Sequence, residues 1–355
     1  MQEKLIELLG SKAVKIQEKM AAHTTFHIGG EAAYYVTPET VRTLLGAIRL
    51  CREQKKQWEI VGNGSNLLVA DTPLDKVIIS TCGSSSVKNR PQKLPKKCEI
   101  EIEELNLTAI MGGEELVMQY TGRDLATSGG SGTDVKSLSW SFPRKELPGH
   151  VYLVAGAGVM LASFANYAAA LSLEGLSFAG GIPGTIGGAV AMNAGAYGGE
   201  IKDTIEGAFV ADLEGKVMYL DKDALGLAYR DSVILQKSYI LLAAVFSLQT
   251  GDQEAIREQM KNYNDSRRQK QPLEYASAGS TFKRPQGYFA GKLIQDAGLK
   301  GYRVGDIMVS DKHSGFVVNV GKGTAKDVMA VVEHVQEEVM RQFGVKLELE
   351  IKILE

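Results

Sequence analysis

Eight glycines fall between Gly180 and Gly199, within a run that reads Ala-Gly-Gly-Ile-Pro-Gly-Thr-Ile-Gly-Gly-Ala-Val-Ala-Met-Asn-Ala-Gly-Ala-Tyr-Gly-Gly over 179–199. Glycine loses more backbone freedom on folding than any other residue, so a packed core does not favour this density. Bare backbone can instead take positive φ and come within hydrogen-bonding distance of a ligand. Successive N–H groups in such turns form nests for anions, a pyrophosphate among them. A flexible linker would be richer in Ser and polar residues, whereas the spacers here include Ile182, Ile186, Val190 and Met192. The run reads as a buried, ligand-facing loop.

A second glycine turn, Gly62-Asn63-Gly64-Ser65-Asn66, lies between strand-like Glu59-Ile60-Val61 and Leu67-Leu68-Val69. It begins like a dinucleotide fingerprint, but Leu67 stands where the third glycine of G-x-G-x-x-G belongs, and no helix follows. That excludes a Rossmann turn. Alone the segment is equally an ordinary hairpin turn; paired with 179–199 it points to one extended cofactor held by two loops. No metal site is expected, because His23 and His27 lack a third ligand and Cys51, Cys82 and Cys98 show no C-x-x-C spacing. Neither a G-x-S-x-G elbow nor a P-loop occurs.

The 355 residues suit two or three domains, and the 44% apolar and 23% charged fractions are those of a globular protein. A net charge of −2 gives no case for nucleic acid as a partner. Residues 1–9 alternate charged and apolar side chains, unlike a signal peptide, and three cysteines without a framework suit a reducing cytoplasm. The most apolar stretch, 151–173, is broken by glycines and Asn166, so it reads as a strand and a buried helix rather than a membrane span.

These loops need a frame. Residues 1–20 read as helix with Leu5, Leu8 and Leu9 on one face, 32–36 as a strand, and Pro38 as the opening of a helix with Val41, Leu44, Leu45 and Ile48 inward. Residues 77–79 and 151–154 read as strands, 161–171 as a helix, and 208–212 with 216–220 as a hairpin. Thr324 and Asp327 cap a long helix striped by Val328, Val331, Val332, Val335 and Val339 and closed at Phe343-Gly344. A closing strand over 346–354 would put Glu348 and Glu350 on one face. Between 81 and 149 the chain turns loop-like, with strands an open reading at 99–110 and 115–120. It reads as an insertion with mobile, protease-sensitive ends at Ser84–Ser86 and Ser128–Gly132, and a Gly-Ser linker in place of 84–146 should preserve cofactor binding and activity.

Further motifs stand in a recognisable order. They are Thr24-Thr25-Phe26-His27-Ile28-Gly29-Gly30, the two glycine segments, Tyr229-Arg230-Asp231-Ser232 and 267–272. Ala278-Gly279-Ser280-Thr281-Phe282-Lys283-Arg284-Pro285, Val309-Ser310-Asp311-Lys312-His313 and Leu347-Glu348-Leu349-Glu350 follow. Each is weak alone. The ordered set, spanning nearly the whole chain except 81–149, resembles the UDP-N-acetylenolpyruvoylglucosamine reductase (UDP-N-acetylmuramate dehydrogenase) family of peptidoglycan synthesis.

The resemblance implies an α+β protein with a two-part FAD-binding domain of the vanillyl-alcohol-oxidase type, 1–76 and 77–225 (the second holding the insertion), and a C-terminal α+β substrate domain, 226–355. It implies noncovalent FAD on Gly62, Asn63, Gly64, Ser65 and Asn66 and on Gly180, Gly181, Ile182, Pro183, Gly184, Gly187, Gly188, Ala189, Asn193, Gly195, Ala196 and Tyr197. NADPH is the implied reductant, UDP-N-acetylglucosamine enolpyruvate the substrate, and a cytoplasmic monomer the state. About fifty residues separate Arg230 from Ser280, which resembles the shorter subclass without the extra tyrosine loop.

The resemblance places the chemistry on Arg230, Ser280 and Glu350. Hydride delivered from flavin N5 to the methylene of an enol ether leaves charge on the neighbouring carbon and its carboxylate, which needs donors set in advance. Arg230 offers a permanently charged fork that matches a carboxylate. Glu350 helps only when protonated, which burial and the substrate's charge favour. Ser280 protonates the carbanion and, as a weak acid, depends on its neighbours. Tyr229, Arg267, Lys270 and Arg284 match substrate-contacting positions, and such cations suit a UDP pyrophosphate. Arg284 departs from the asparagine found in part of the family, and Gly305-Asp306 from a common Gly-Gly pair.

Taken singly, these residues would be a surface Tyr-Arg pair, a turn serine, an edge carboxylate and a solvated charge run. Two competing readings are an FAD-dependent alcohol or hydroxy-acid oxidase, which would make peroxide without NADPH, and a catalytically inactive flavin or nucleotide-sugar binding protein. The joint presence of Arg230, Ser280 and Glu350 speaks against the second.

Overall fold

The strand Ile240–Gln249 is buried along nearly its whole length, as its unbroken apolar run Ile-Leu-Leu-Ala-Ala-Val-Phe demands. It pairs antiparallel with Ile205–Ala211 on one side and with His150–Gly156 on the other. Val217–Asp221 and Ile110–Gly113 complete a five-stranded antiparallel sheet. The helix Leu161–Ala170 packs on it through Phe164, whose ring lies 4.7 Å from that of Phe246. The computed structural model describes residues 1–83, 97–113, 115–123, 135–143 and 150–355, with side chains for 1–83, 102–112 and 151–355. Two compact units result: 1–15, 36–62 and 77–263 form one, and 16–35, 63–76 and 264–355 the other.

In the first unit the opening helix is shorter than expected. It spans Gln2–Leu9 and stops at Gly10, whose φ is 82°. Val14–Lys19 then forms a strand, following the apolar alternation of Val14 and Ile16 that a helical reading overlooked. The next helix, Val41–Glu53, starts at Thr40 rather than at Pro38. Thr40 and Thr43 exchange capping bonds of 3.3 and 3.0 Å, which satisfy the first-turn donors better than a proline two residues earlier. Trp58–Val61 pairs in parallel with 77–80 and leads the chain to Gly62.

The second unit is built on the helix Ala325–Phe343, whose Val328, Val331, Val332, Val335 and Val339 are all buried. Thr324 and Asp327 form the capping box, Gly344 closes the helix in the left-handed region, and both oxygens of Asp71 accept from the N–H groups of Ala325 and Lys326 at 2.9 and 3.1 Å. Its small antiparallel sheet runs Ala276–Ser277, Val317–Asn319, Ile307–Val309, Arg303–Val304. The expected strand over 346–354 is cut short. Leu349 bridges Phe282 antiparallel, then Lys352–Leu354 pairs in parallel with Leu67–Val69, so a change of partner interrupts the ladder.

The 81–149 stretch is not peripheral throughout. Ile102, Leu105, Leu107 and Ile110 are buried, Val41 donates to the Leu105 carbonyl, and Gly158 donates to that of Leu107. Strands Lys97–Glu101, Glu115–Arg123 and Val135–Pro143 form a separate three-stranded sheet. Ser84–Ser86 and Ser128–Gly132 lie outside the described residues. A linker replacing 84–146 would therefore remove four buried side chains worth about 6–12 kcal/mol together, as much as a typical domain's whole stability of about 5–15 kcal/mol. That chain should fail to fold. Gly113 faces Tyr152 across the sheet, so Asn-Gly in place of 114–149 should keep a cooperative thermal transition, checked by circular dichroism.

Candidate active site

In the first unit Gly62 and the glycine run meet at Thr185. This fully buried residue caps the helix Ile186–Ala191, its Oγ1 accepting from Gly188 N at 3.3 Å. Gly62 runs so close that a Cβ there would lie 2.4 Å from Thr185 Oγ1. Gly187 faces inward: its N–H donates to Ala157 O at 2.8 Å, and a Cβ would meet that oxygen at 3.1 Å. Gly188 faces outward, and among the described residues its Cβ would meet only Thr185 Oγ1, at 3.8 Å. The sequence reading missed Thr185, although a Thr one residue before an Ile-Gly-Gly helix start is an N-cap signal. Gly180, Gly181, Ile182 and Gly184 are half-buried, Pro183 is exposed and Ala189 is buried. Gly195 and Ala196 pair with Glu200 and Gly199 in a hairpin tipped by Tyr197-Gly198, both at positive φ, and Tyr197 stacks on Tyr263 at 4.5 Å.

Tyr229 and Arg230 form the tip of a two-residue turn closed by reciprocal bonds between Ala228 and Asp231, 3.0 and 3.3 Å. Arg230 is held at φ 56°, a left-handed conformation that costs a non-glycine residue on the order of 1–3 kcal/mol and clusters at functional sites. Its guanidinium carbon lies 5.0 Å from the centre of the Tyr229 ring. Ser232 Oγ fastens the turn to Ala191 O at 2.7 Å. Asn193, read as a cofactor contact, is buried and uses its amide within the protein: Nδ2 donates to Glu200 Oε2 at 2.8 Å and to Ala228 O at 3.2 Å, while Oδ1 accepts from Lys202 N at 2.9 Å. The Lys202 ammonium, 2.7 Å away, and the Asn193 amide hold the Glu200 carboxyl below its usual range, and the charge of Arg230 adds to this.

In the second unit Ser280 follows Gly279, whose φ is 78°. Thr281 donates through its N–H to Gly315 O and accepts from Glu350 N, both at 2.9 Å, so Ser280 and Glu350 lie on neighbouring chain segments. Asn66 holds the same place from the other side, its Nδ2 donating to Glu350 O at 3.1 Å and its carbonyl accepting from Lys352 N at 2.9 Å. A Cβ at Gly64 (φ 64°) would lie 2.1 Å from the His23 carbonyl, so this turn requires glycine. Of the two carboxylates expected on one face, Glu350 is half-buried, while Glu348 is exposed and sits 3.9 Å from Lys283 Nζ. His313 Nδ1 accepts from Gly315 N at 3.1 Å; burial lowers its pKa, against the opposing hydrogen bond with its own backbone, and the charge of Lys300 adds to the lowering.

The charge run near 267–270 divides. Arg267 is 8% exposed, whereas Arg268 and Lys270 lie in solvent. Arginine is almost never taken in to this extent without partners. Arg284 is exposed, with its guanidinium 4.7 Å over the Phe289 ring. His23 bonds Glu18 at 2.8 Å and stacks on Tyr35. Among the described residues no cluster of three His, Cys, Asp or Glu side chains could hold a metal, and no helix is long and apolar enough to cross a membrane.

Comparison with known proteins agrees with this geometry. Residues 110–221 match the FAD binding domain family, and 271–354 match the C-terminal domain of UDP-N-acetylenolpyruvoylglucosamine reductase. The UDP-N-acetylenolpyruvoylglucosamine reductase of Agathobacter rectalis is 43% identical over 337 residues, covering 95% of this chain and 92% of the relative. That of Lachnoclostridium phytofermentans is 40% identical over 353 residues, covering 99% and 96%. The crystal structure of the Thermus caldophilus reductase superposes with a TM-score of 0.67 at 29% identity, over 96% of this chain and 100% of that one. The residues present fit FAD: the outward backbone at Gly188, beside a glycine turn that no side chain could enter, suits a close approach by a diphosphate. With near-complete coverage at this identity, the chain belongs to the UDP-N-acetylenolpyruvoylglucosamine reductase family and is an α+β protein that joins an FAD-binding domain to that family's C-terminal domain.

Proposed function

We propose that the chain is a cytoplasmic, monomeric reductase that uses FAD and NADPH to convert UDP-N-acetylglucosamine enolpyruvate into UDP-N-acetylmuramate for peptidoglycan synthesis. The observation that carries this reading is Arg230, held in a strained conformation on a turn bolted to the end of the glycine-run helix. Bound FAD supplies the hydride donor, replenished by NADPH. The remaining tasks fall to the protein. Backbone at Gly62 and Gly188 faces the cofactor diphosphate, with 1–76 and 77–225 as the cofactor-binding parts. Arg230 pairs with the substrate carboxylate and stabilises the charge that grows beside it. Ser280 gives the proton, and Glu350, protonated, adds a donor to the same carbon's carboxylate. Arg267, Lys270, Arg284 and Tyr229 serve the UDP diphosphate and sugar, all four from the substrate part, 226–355. An oxidase is not favoured, since the relatives are reductases by name.

The purified protein should be yellow, and acid should release the colour as free FAD. Under anaerobic conditions NADPH should bleach it, and the enolpyruvyl substrate should restore it. Peroxide formation without NADPH would instead identify an oxidase, and a colourless protein that refuses FAD would exclude the reading altogether.

A further inference from the structure

We propose that Asn193 is a positioning residue for Arg230, one buried amide bonded both to the backbone of the Tyr229-Arg230 turn and to the Glu200 carboxylate. The proposal rests on the reading of Arg230 as the partner of the substrate carboxylate. Asn193 is fully buried and makes three side-chain hydrogen bonds: to Ala228 O, immediately before the turn, to Glu200 Oε2, and from Lys202 N. Only a primary amide brings two donors and an acceptor to one such point. Aspartate has the same shape but no donor, and it would set a second carboxylate against Glu200. Serine is too short to reach three partners.

The backbone offers a competing explanation. Asn193 lies at φ 41° just past the helix Ile186–Ala191, a position that asparagine and glycine tolerate as a helix stop. Were that its whole role, glycine would replace it freely. The side-chain bonds predict otherwise. Losing them leaves Ala228 O to its 3.3 Å bond from Asp231 N and Glu200 to its pair with Lys202, so the turn that carries Arg230 loosens.

The test is a double-mutant cycle on the holoenzyme with Asn193→Gly and Arg230→Ala. Asn193→Gly keeps the left-handed backbone, so FAD content and the NADPH half-reaction should stay at wild-type levels. Oxidation by the enolpyruvyl substrate should slow by about 10²-fold, as a displacement on the order of 1 Å can cause, with a raised KM. Calorimetry should show weaker binding of UDP-N-acetylmuramate. In the Arg230→Ala background the same substitution should add less than about twofold, because it acts through the missing guanidinium. If the glycine variant does not accumulate, Asn193→Asp, isosteric and tolerant of the same φ, carries the same cycle with a larger expected loss.

Wild-type kinetics in Asn193→Gly, or additive losses in the double variant, would overturn the proposal. So would lost FAD with slowed NADPH reduction, which would mark Asn193 as a cofactor contact. An Arg230→Ala enzyme that still oxidises with substrate normally would bring down the reading of Arg230 itself, and the proposal with it.

Discussion

Replacing Ser280 by alanine should leave FAD bound and reduced by NADPH at near the wild-type rate, while reoxidation by the enolpyruvyl substrate slows by about 10²–10⁴-fold. The asymmetry follows from what Ser280 supplies, a proton needed only after hydride has reached the substrate. The substitution disturbs little else, because the segment is held by Thr281 through its backbone bonds to Gly315 and Glu350 and by a side-chain bond from Val317 N to Thr281 Oγ1. Stopped-flow absorbance of the two half-reactions, measured separately, decides the matter. Equal slowing of both would point to a distorted site rather than a lost acid. Glu350→Gln and Arg230→Ala should share the asymmetry, the arginine variant with weaker substrate affinity as well.

Adjacent glycines should respond in opposite ways to valine. Gly188→Val should yield a folded but colourless protein, since the added carbons enter open space on the outward side of the cradle. Its apo form should melt close to the wild-type apo form, because among the described residues outside its own helix the atom nearest to the added Cβ is Thr185 Oγ1, 3.8 Å away. Gly187→Val drives a branched side chain into the Ala157 carbonyl, 3.1 Å from the first added carbon. Overpacking of that kind costs about 1–3 kcal/mol, so this variant should melt earlier whether or not FAD is present. Retention of FAD by Gly188→Val would place the diphosphate elsewhere.

Much of the frame was legible because local rules and packing agree. The valine stripe of Ala325–Phe343, its capping box and its closing glycine all signal one helix, and that helix is present. The apolar run 240–246, which the sequence reading passed over, lies in an interior strand. What escaped depends on distant partners. Nothing near Thr185 announces Gly62, and nothing near Asn66 announces Glu350, because these contacts form across more than a hundred residues of chain. The buried Ile102, Leu105 and Leu107 sit in a short stretch with no clear period, so the sequence left 99–110 open between strand and loop. Asn193 was found for its place in the glycine run, but its bonds to Glu200 and Ala228 are with partners that spacing does not encode.

The parallel pairing of Leu67–Val69 with Lys352–Leu354 has a consequence for biosynthesis. A chain emerging from the ribosome offers Leu67 long before its partner Lys352. The second unit is thus completed only when that strand arrives, and residues 63–76 wait until then with apolar Leu68 and Val69 uncovered. Any nascent chain halted before Glu350 lacks both that carboxylate and the strand that Asn66 helps to seat, so truncated products expose a sticky edge instead of a half-working enzyme.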